Sequence, residues 1–582
     1  MRRPMTVILL ATLFIIGSSI PLIETTSEEL NSLNSKSVIT ISTNSEWNGN
    51  YTLNDDVIIN QGVTLTIKPN TIIDISSDIT ISVFGFIKSN ETTIMSSLPA
   101  SNSGSSAGLW TGIEIMTGGT AFLNTTEIQS ARTGVSVLGS LYSDSIEFTT
   151  SYVGMDVDGT ATIDTMTCND IDIVCAKITG VGGIGELQVV NASTGIYQSG
   201  TLSVDDAELI DVGIGFDVDG ASGSHNNIVL NNVNTAWRVR SQTAVTAQDV
   251  DCISAGLLID AGDSEGFEIS NVTGIAYRVV RAEGMQELTL TNVNLSSLIT
   301  ETTAIDARND GDLMIIDSIF QGYSNGMKLR GSGTHSVHNS ELTVMSTGIQ
   351  GSGSGDLIFN QSNLFSAGDI GEFSQLDTTI EYSDLSGGNA ATIGLSWTGG
   401  NHVLNSVNIS RPYAGSSDLI SVGIGAWWST VVGDSVSVSG WHIGVECESC
   451  SIDFGSTSIY DGGTDDGTSI SGNNANMIFD YLETQHSTIA VDLQGMSTFV
   501  SSYWIGDQHN NALFVGDDSS AAIRDFNTNI IQGVDAVGGG VLHWGSEDST
   551  PPTVTVSNTK EYTETTFTIT DLVGNTLENV YV

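Results

Sequence analysis

Paired carboxylates are the first residues here that could do chemistry. Asp205-Asp206, Asp465-Asp466 and Asp517-Asp518 each offer the two groups that glycoside hydrolysis divides between acid and base or nucleophile. His509 and His543 lie near the last pair, so Asp517, Asp518, His509 and His543 are the catalytic candidates. Trp397, Trp427, Trp428 and Trp441, with Tyr413, crowd one interval, and indole faces suit large flat ligands such as sugar rings. Seven of the 17 Lys and Arg residues fall between Arg238 and Arg330: Arg238, Arg240, Arg278, Arg281, Arg308, Lys328 and Arg330. For hard cations, Asp461, Asp465 and Asp466 sit in a Gly-rich acidic run and are calcium candidates, although its sixth position is Asp where an EF-hand loop needs Gly. Asp156 with Asp158, and Asp217 with Asp219, are strand-end pairs that a cation could bridge. The cysteines suggest two local disulfides, Cys168 with Cys175 and Cys447 with Cys450, leaving Cys252 over.

What positions these residues is a repeat. A phrase of small residue, Gly or Ala, then alternating apolar residues recurs as Thr133-Gly134-Val135-Ser136-Val137, Val153-Gly154-Met155-Asp156-Val157 and Ile214-Gly215-Phe216-Asp217-Val218. It continues through Thr235-Ala236-Trp237-Arg238-Val239, Ile275-Ala276-Tyr277-Arg278-Val279, Asn325-Gly326-Met327-Lys328-Leu329 and Ile443-Gly444-Val445. The interval is close to 20 to 22 residues, with one longer step before Ala304 that implies an inserted loop. Alternating strands ending in Asn, such as Val229-Leu230-Asn231 and Ile269-Ser270-Asn271, fall between these phrases. A unit this short cannot bury its own apolar face and must stack on copies of itself. Alternation then points the basic residues outward and stacking sets them in columns. Such a stripe could grip a uronate or sulfated polysaccharide. The competing reading is an ion ladder, with Asp217 and Asp219 one turn before Arg238 and Arg240 and Asp260 one turn after. Arg308 and Arg330 are instead predicted to be like-charged neighbours. Turn asparagines are expected to stack as amide ladders. Eight Asn-x-Ser/Thr sequons, at Asn50, Asn90, Asn124, Asn191, Asn271, Asn294, Asn360 and Asn408, also permit glycosylation outside the cell.

This pattern resembles the right-handed parallel β-helix superfamily, the pectate-lyase-like fold, over roughly Trp47 to Trp544. The opening turns, Trp47-Asn48-Gly49-Asn50-Tyr51 through Gly62-Val63-Thr64-Leu65-Thr66-Ile67, are similar to those of large secreted members. The resemblance implies an all-β solenoid of roughly 20 to 24 turns, on the order of 100 Å long at about 4.8 Å per stacked strand. It is poor for function, since the superfamily holds lyases, hydrolases, adhesins and tailspikes. Gly516-Asp517-Asp518 resembles the aspartate pair of polygalacturonases, but no Gly-His-Gly follows it and no Arg-Ile-Lys lies downstream. Trp504-Ile505-Gly506-Asp507-Gln508-His509 likewise departs from the Trp-Ile-Asp-His pattern of pectate lyases, and no Arg-x-Pro-x-x-Arg follows.

The chain ends carry their own signals. Residues 1–26 read as a secretory signal peptide, with Arg2 and Arg3 before an apolar run; an uncleaved membrane anchor is the alternative. A linker is expected over 27–46, the β-helix over 47–548, and the start of an immunoglobulin-like or carboxypeptidase-regulatory-like module over 549–582. Composition narrows the partners. With 67 Asp and Glu against 17 Lys and Arg, the net charge of -50 disfavours nucleic acid, which needs a basic footprint. The expected partner is a polysaccharide or cell-surface glycan, with a membrane tether at the N-terminus or past the C-terminus a further option; calcium is the one cofactor suggested. Together these features predict a secreted or cell-surface rod acting as an adhesin or glycan-binding protein. The alternatives are a polysaccharide lyase or glycoside hydrolase, and a structural surface-layer or stalk component.

Overall fold

The computed structural model describes residues 37–96, 109–284, 286–299, 301–308, 310–412, 420–460, 467–516, 518–528, 534–536, 541–544, 554–555 and 569–570. They form a parallel β-solenoid of about 21 turns, with no helix among the described residues. Each turn contributes to three sheets. In the turn that starts at Asp356, the second sheet takes Asp356–Asn360, the third Asn363–Ser366 and the first Gly371–Ser374. Alternation decides what faces inward: Leu357, Phe359, Leu364 and Phe373 are all buried, while their neighbours along each strand face out. Stacking continues this pattern along the rod. Thr120 pairs with Ser140, Ser140 with Thr160, Thr160 with Val181 and Val181 with Thr201, all in parallel.

The recurrent small residue has a steric cause. A Cβ on Gly134 would lie 2.6 Å from the Gly154 carbonyl of the next turn and 2.5 Å from the Phe148 ring. At Gly215 it would meet the Ala236 carbonyl at 2.7 Å and Leu209 at 2.9 Å. At these two positions the chain therefore passes so close to the neighbouring turn that a side chain would clash.

The amide ladders form, but as mixed stacks. Asn191 donates to Asp170 at 2.7 Å and Asn232 to Asp211 at 2.6 Å; Asn271 donates to Asp249, and Asn292 to Asn271, each at 2.9 Å. Each of these Asn and Asp residues has a φ between 54° and 57°, a conformation that their short polar side chains tolerate. Asn191 and Asn271, both sequon residues, thus use their amide nitrogens within the stack.

Turn length varies mainly at one corner. Extra residues leave between Met95 and Gly112, Ser296 and Thr303, Gly387 and Ile393, Ser410 and Val422, and Tyr460 and Thr468. All five fall between a third-sheet strand and the next first-sheet strand. The solenoid also starts before Trp47, because Val38–Ile41 pairs in parallel with Asp56–Ile59; the C-terminal part of the expected linker is already strand. Residues 1–26 lie outside the described residues. From 549–582 only Val554–Thr555 and Ile569–Thr570 are described, and they pair in parallel with Val534–Ala536 and Val541–Trp544.

Candidate functional site

The first sheet's outer face carries two columns of side chains. Strand register gives one as Asp217, Arg238, Asp260, then Arg281, Asp306, Lys328, Gln350, Glu372, Ser396, Gly425 and Glu446. Beside its later part runs Arg308, Arg330, Ser352, Ser374, Thr398, Trp427 and Glu448.

The N-terminal part of this face is an ion ladder. Asp217 is 6% exposed and accepts from Arg238 Nε at 2.8 Å and from Arg240 Nη2 at 3.3 Å. Arg281 grips Asp260 with two bonds, at 2.8 and 2.7 Å. Arg308 grips Asp306, two residues back on its own strand, at 3.0 and 2.9 Å. Lys177 pairs with Asp156 at 3.0 Å, and Ser241 donates to Asp219 at 2.6 Å. The strand-end aspartates that suggested a bridging cation therefore have side-chain donors of their own. Asp158 is likewise bonded to Thr179.

One assignment shifts. The phrase Ala276-Tyr277-Arg278-Val279 places Arg278 in the outward column, yet the register aligns Val280 with Ile305 and Arg281 with Asp306. In this turn the phrase comes three residues before the column, so Arg281 is the ladder residue.

Lys328 and Arg330 differ from the cations before them. Arg330 stacks on Arg308, as the spacing predicts, and Lys328 on Asp306, whose carboxylate is taken by Arg308. Neither has an ion pair among the described residues. Both line a shallow depression of about 390 Å³ with Gln350, Ser352, Glu372 and Ser396.

The tryptophans separate into core and surface. Trp397 and Trp441 are fully buried in the solenoid interior and cannot stack on a ligand. Trp427 lies on the outer face directly past the depression, next to Thr398 in register. Its indole reaches back over Gly425, where a Cβ would sit 2.5 Å from Cη2 and 2.6 Å from Cζ3. Trp428 follows at the corner, 66% exposed and with φ 51°, a left-handed conformation costly for a residue of its size. Past Trp427 stand Glu446 and Glu448. Burial, then the neighbouring Glu448 charge, pushes the Glu446 carboxyl above its usual range. Tyr413 lies outside the described residues.

The remaining candidates that are described lie apart from this face. His509 is buried: its Nδ1 lies 2.6 Å from Ser487 Oγ and its Nε2 3.0 Å from the Thr484 carbonyl. Burial lowers its pKa, as expected of a core residue. Asp518 lies in the turn after the first-sheet strand Asn511–Val515, and His543 on the second sheet opposite Ala522. Asp517, Asp461, Asp465 and Asp466 lie outside the described residues. Among those described, no group of three or more His, Cys, Asp or Glu is arranged to hold a metal. Disulfides join Cys168 with Cys175 and Cys447 with Cys450, and Cys252 is buried.

Sequence reasoning missed three buried indole–imidazole networks, because histidines 12 residues before Trp237 and five after Trp397 and Trp504 show no common spacing. Trp237 Nε1 donates to His225 Nδ1 at 3.2 Å; Trp397 and Trp504 donate to Thr378 and Thr484, which in turn contact His402 and His509. It also missed Gly425, whose role shows only once Trp427 is seen to lie across it. No protein-family model, curated protein or solved structure matches this chain.

Proposed function

We propose that the chain is a noncatalytic rod that binds glycan along the outer face of its first sheet, as a secreted or cell-surface adhesin or glycan-binding protein. The observation that carries this reading is the Trp427 indole laid over Gly425, in line with a depression lined by two cations that lack ion-pair partners. A sugar ring presents an apolar face to an indole and hydroxyls to the Ser, Thr and Gln side chains between. The test is an oligosaccharide array probed with the wild-type chain and with Trp427→Ala. Expected is binding that falls at least tenfold in the variant while thermal unfolding stays unchanged. Absence of any binding by the wild type would instead favour a stalk component, and release of reducing ends or unsaturated uronate would return the protein to enzymes.

A further inference from the structure

The charges along this face are ordered, and the order restricts the ligand. At one end stand Lys328 and Arg330, in contrast to Arg238, Arg240, Arg281 and Arg308, all of which hold a carboxylate. The middle is rich in uncharged hydrogen-bonding groups, with Ser352, Ser374, Ser396 and Thr398. Glu372 is its one acid, 3.5 Å from the Gln350 amide. At the other end Trp427 is followed by Glu446 and Glu448 on the next strand. From Lys328 the column passes Gln350, Glu372 and Ser396 to Gly425, four strand steps or about 19 Å at about 4.8 Å each.

Building on the glycan reading above, we infer that this face takes an oligosaccharide with its acidic group at one end and neutral rings over the remainder, and that it rejects a uniform polyuronate. The terminal carboxylate meets Lys328 and Arg330, where Arg330 offers a planar fork and Lys328 a mobile ammonium. The neutral rings cross the hydroxyl-lined middle to reach Trp427. A polyuronate carries a carboxylate on every ring, so its further carboxylates would face Glu372, Glu446 and Glu448 as like charges. Two end-group cations cannot offset a repulsion repeated along the whole chain, particularly in a protein of net charge -50. The face thus selects by rejecting charge at its Trp427 end as much as by attracting it at the other.

The experiment compares three probes by calorimetry at pH 7 and moderate salt: neutral oligosaccharides from the array, the same oligosaccharides bearing one terminal uronate or sialate, and oligogalacturonate of equal length. The end-charged set is expected to bind at least tenfold more tightly than either other set. Lys328→Ser with Arg330→Ser should abolish that preference, so that end-charged and neutral oligosaccharides bind within about twofold of each other. Glu446→Gln with Glu448→Gln should raise oligogalacturonate binding severalfold, and unchanged thermal unfolding shows that both variants fold. Oligogalacturonate binding as tight as the end-charged set overturns the inference while leaving the glycan reading in place, as does a preference that survives the double Ser variant. Failure of all three probes removes the glycan reading and the inference together.

Discussion

Acid should destabilise the solenoid through its buried histidines, and His402 allows the effect to be isolated. Trp397 Nε1 donates to Thr378 Oγ1 at 3.1 Å, and that hydroxyl is 3.1 Å from His402 Nδ1. His402 Nε2 lies 3.1 Å from the Gly399 carbonyl, which can only accept, so the ring is neutral with its proton on Nε2. Burial holds its pKa down to about 4, against 6.5 for an exposed histidine. The folded pKa is therefore the lower one, and the unfolded chain takes up the proton first as pH falls. Stability is full above 6.5 and is lost as pH drops toward 4. The slope approaches about 1.4 kcal/mol per pH unit, and between pH 7 and 4.5 the loss comes to about 2.5 kcal/mol. Carboxylates and net charge also titrate in this range, so the informative quantity is a difference. His402→Gln retains a donor and an acceptor but cannot titrate. Urea unfolding of both proteins at pH 7 and pH 4.5 should show the variant losing about 2.5 kcal/mol less than the wild type. Equal losses in the two proteins would refute a neutral, buried His402. His225, fully buried and held to about 3, should behave in the same way.

Two further outcomes follow from the outer face. Asp217→Asn leaves Arg238 and Arg240 sharing an uncharged acceptor and should lower stability in urea by about 2 kcal/mol, part of it regained when Arg238→Gln is added. Gly425→Val should expel the Trp427 indole from the face, weaken glycan binding as much as Trp427→Ala does, and leave unfolding by urea within about 0.5 kcal/mol of wild type.

The fold was legible because its cause is periodic. Gly134 and Gly215 share one packing reason, and Asp217 beside Arg238 follows from turn length alone. What escaped is whatever depends on a departure from the period. Arg278 matched the repeated phrase, but in its turn the phrase comes three residues before the column, which Arg281 occupies. Spacing cannot separate Trp397, which points inward, from Trp427, which points out, because neither the extra residues of their turns nor the glycine that admits the second indole is visible as a pattern. The five insertions bordering the first sheet were reduced to one in the sequence, since the others fall where the phrase itself weakens.

The alternating columns also check assembly. A solenoid of near-identical turns could mispair by skipping one, because apolar alternation alone would fit equally well. Here a skipped turn would set Asp217 against Asp260 and Arg238 against Arg281 on one face. At the handover from the third sheet to the first, it would place Asp170 against Asp211 and Asn191 against Asn232. Over the turns they span, the two columns therefore encode parity, odd or even, and each penalises a skipped turn by setting carboxylates against carboxylates. The hydrophobic repeat instructs the chain to stack, and the polar alternation tells each turn which neighbour is its own.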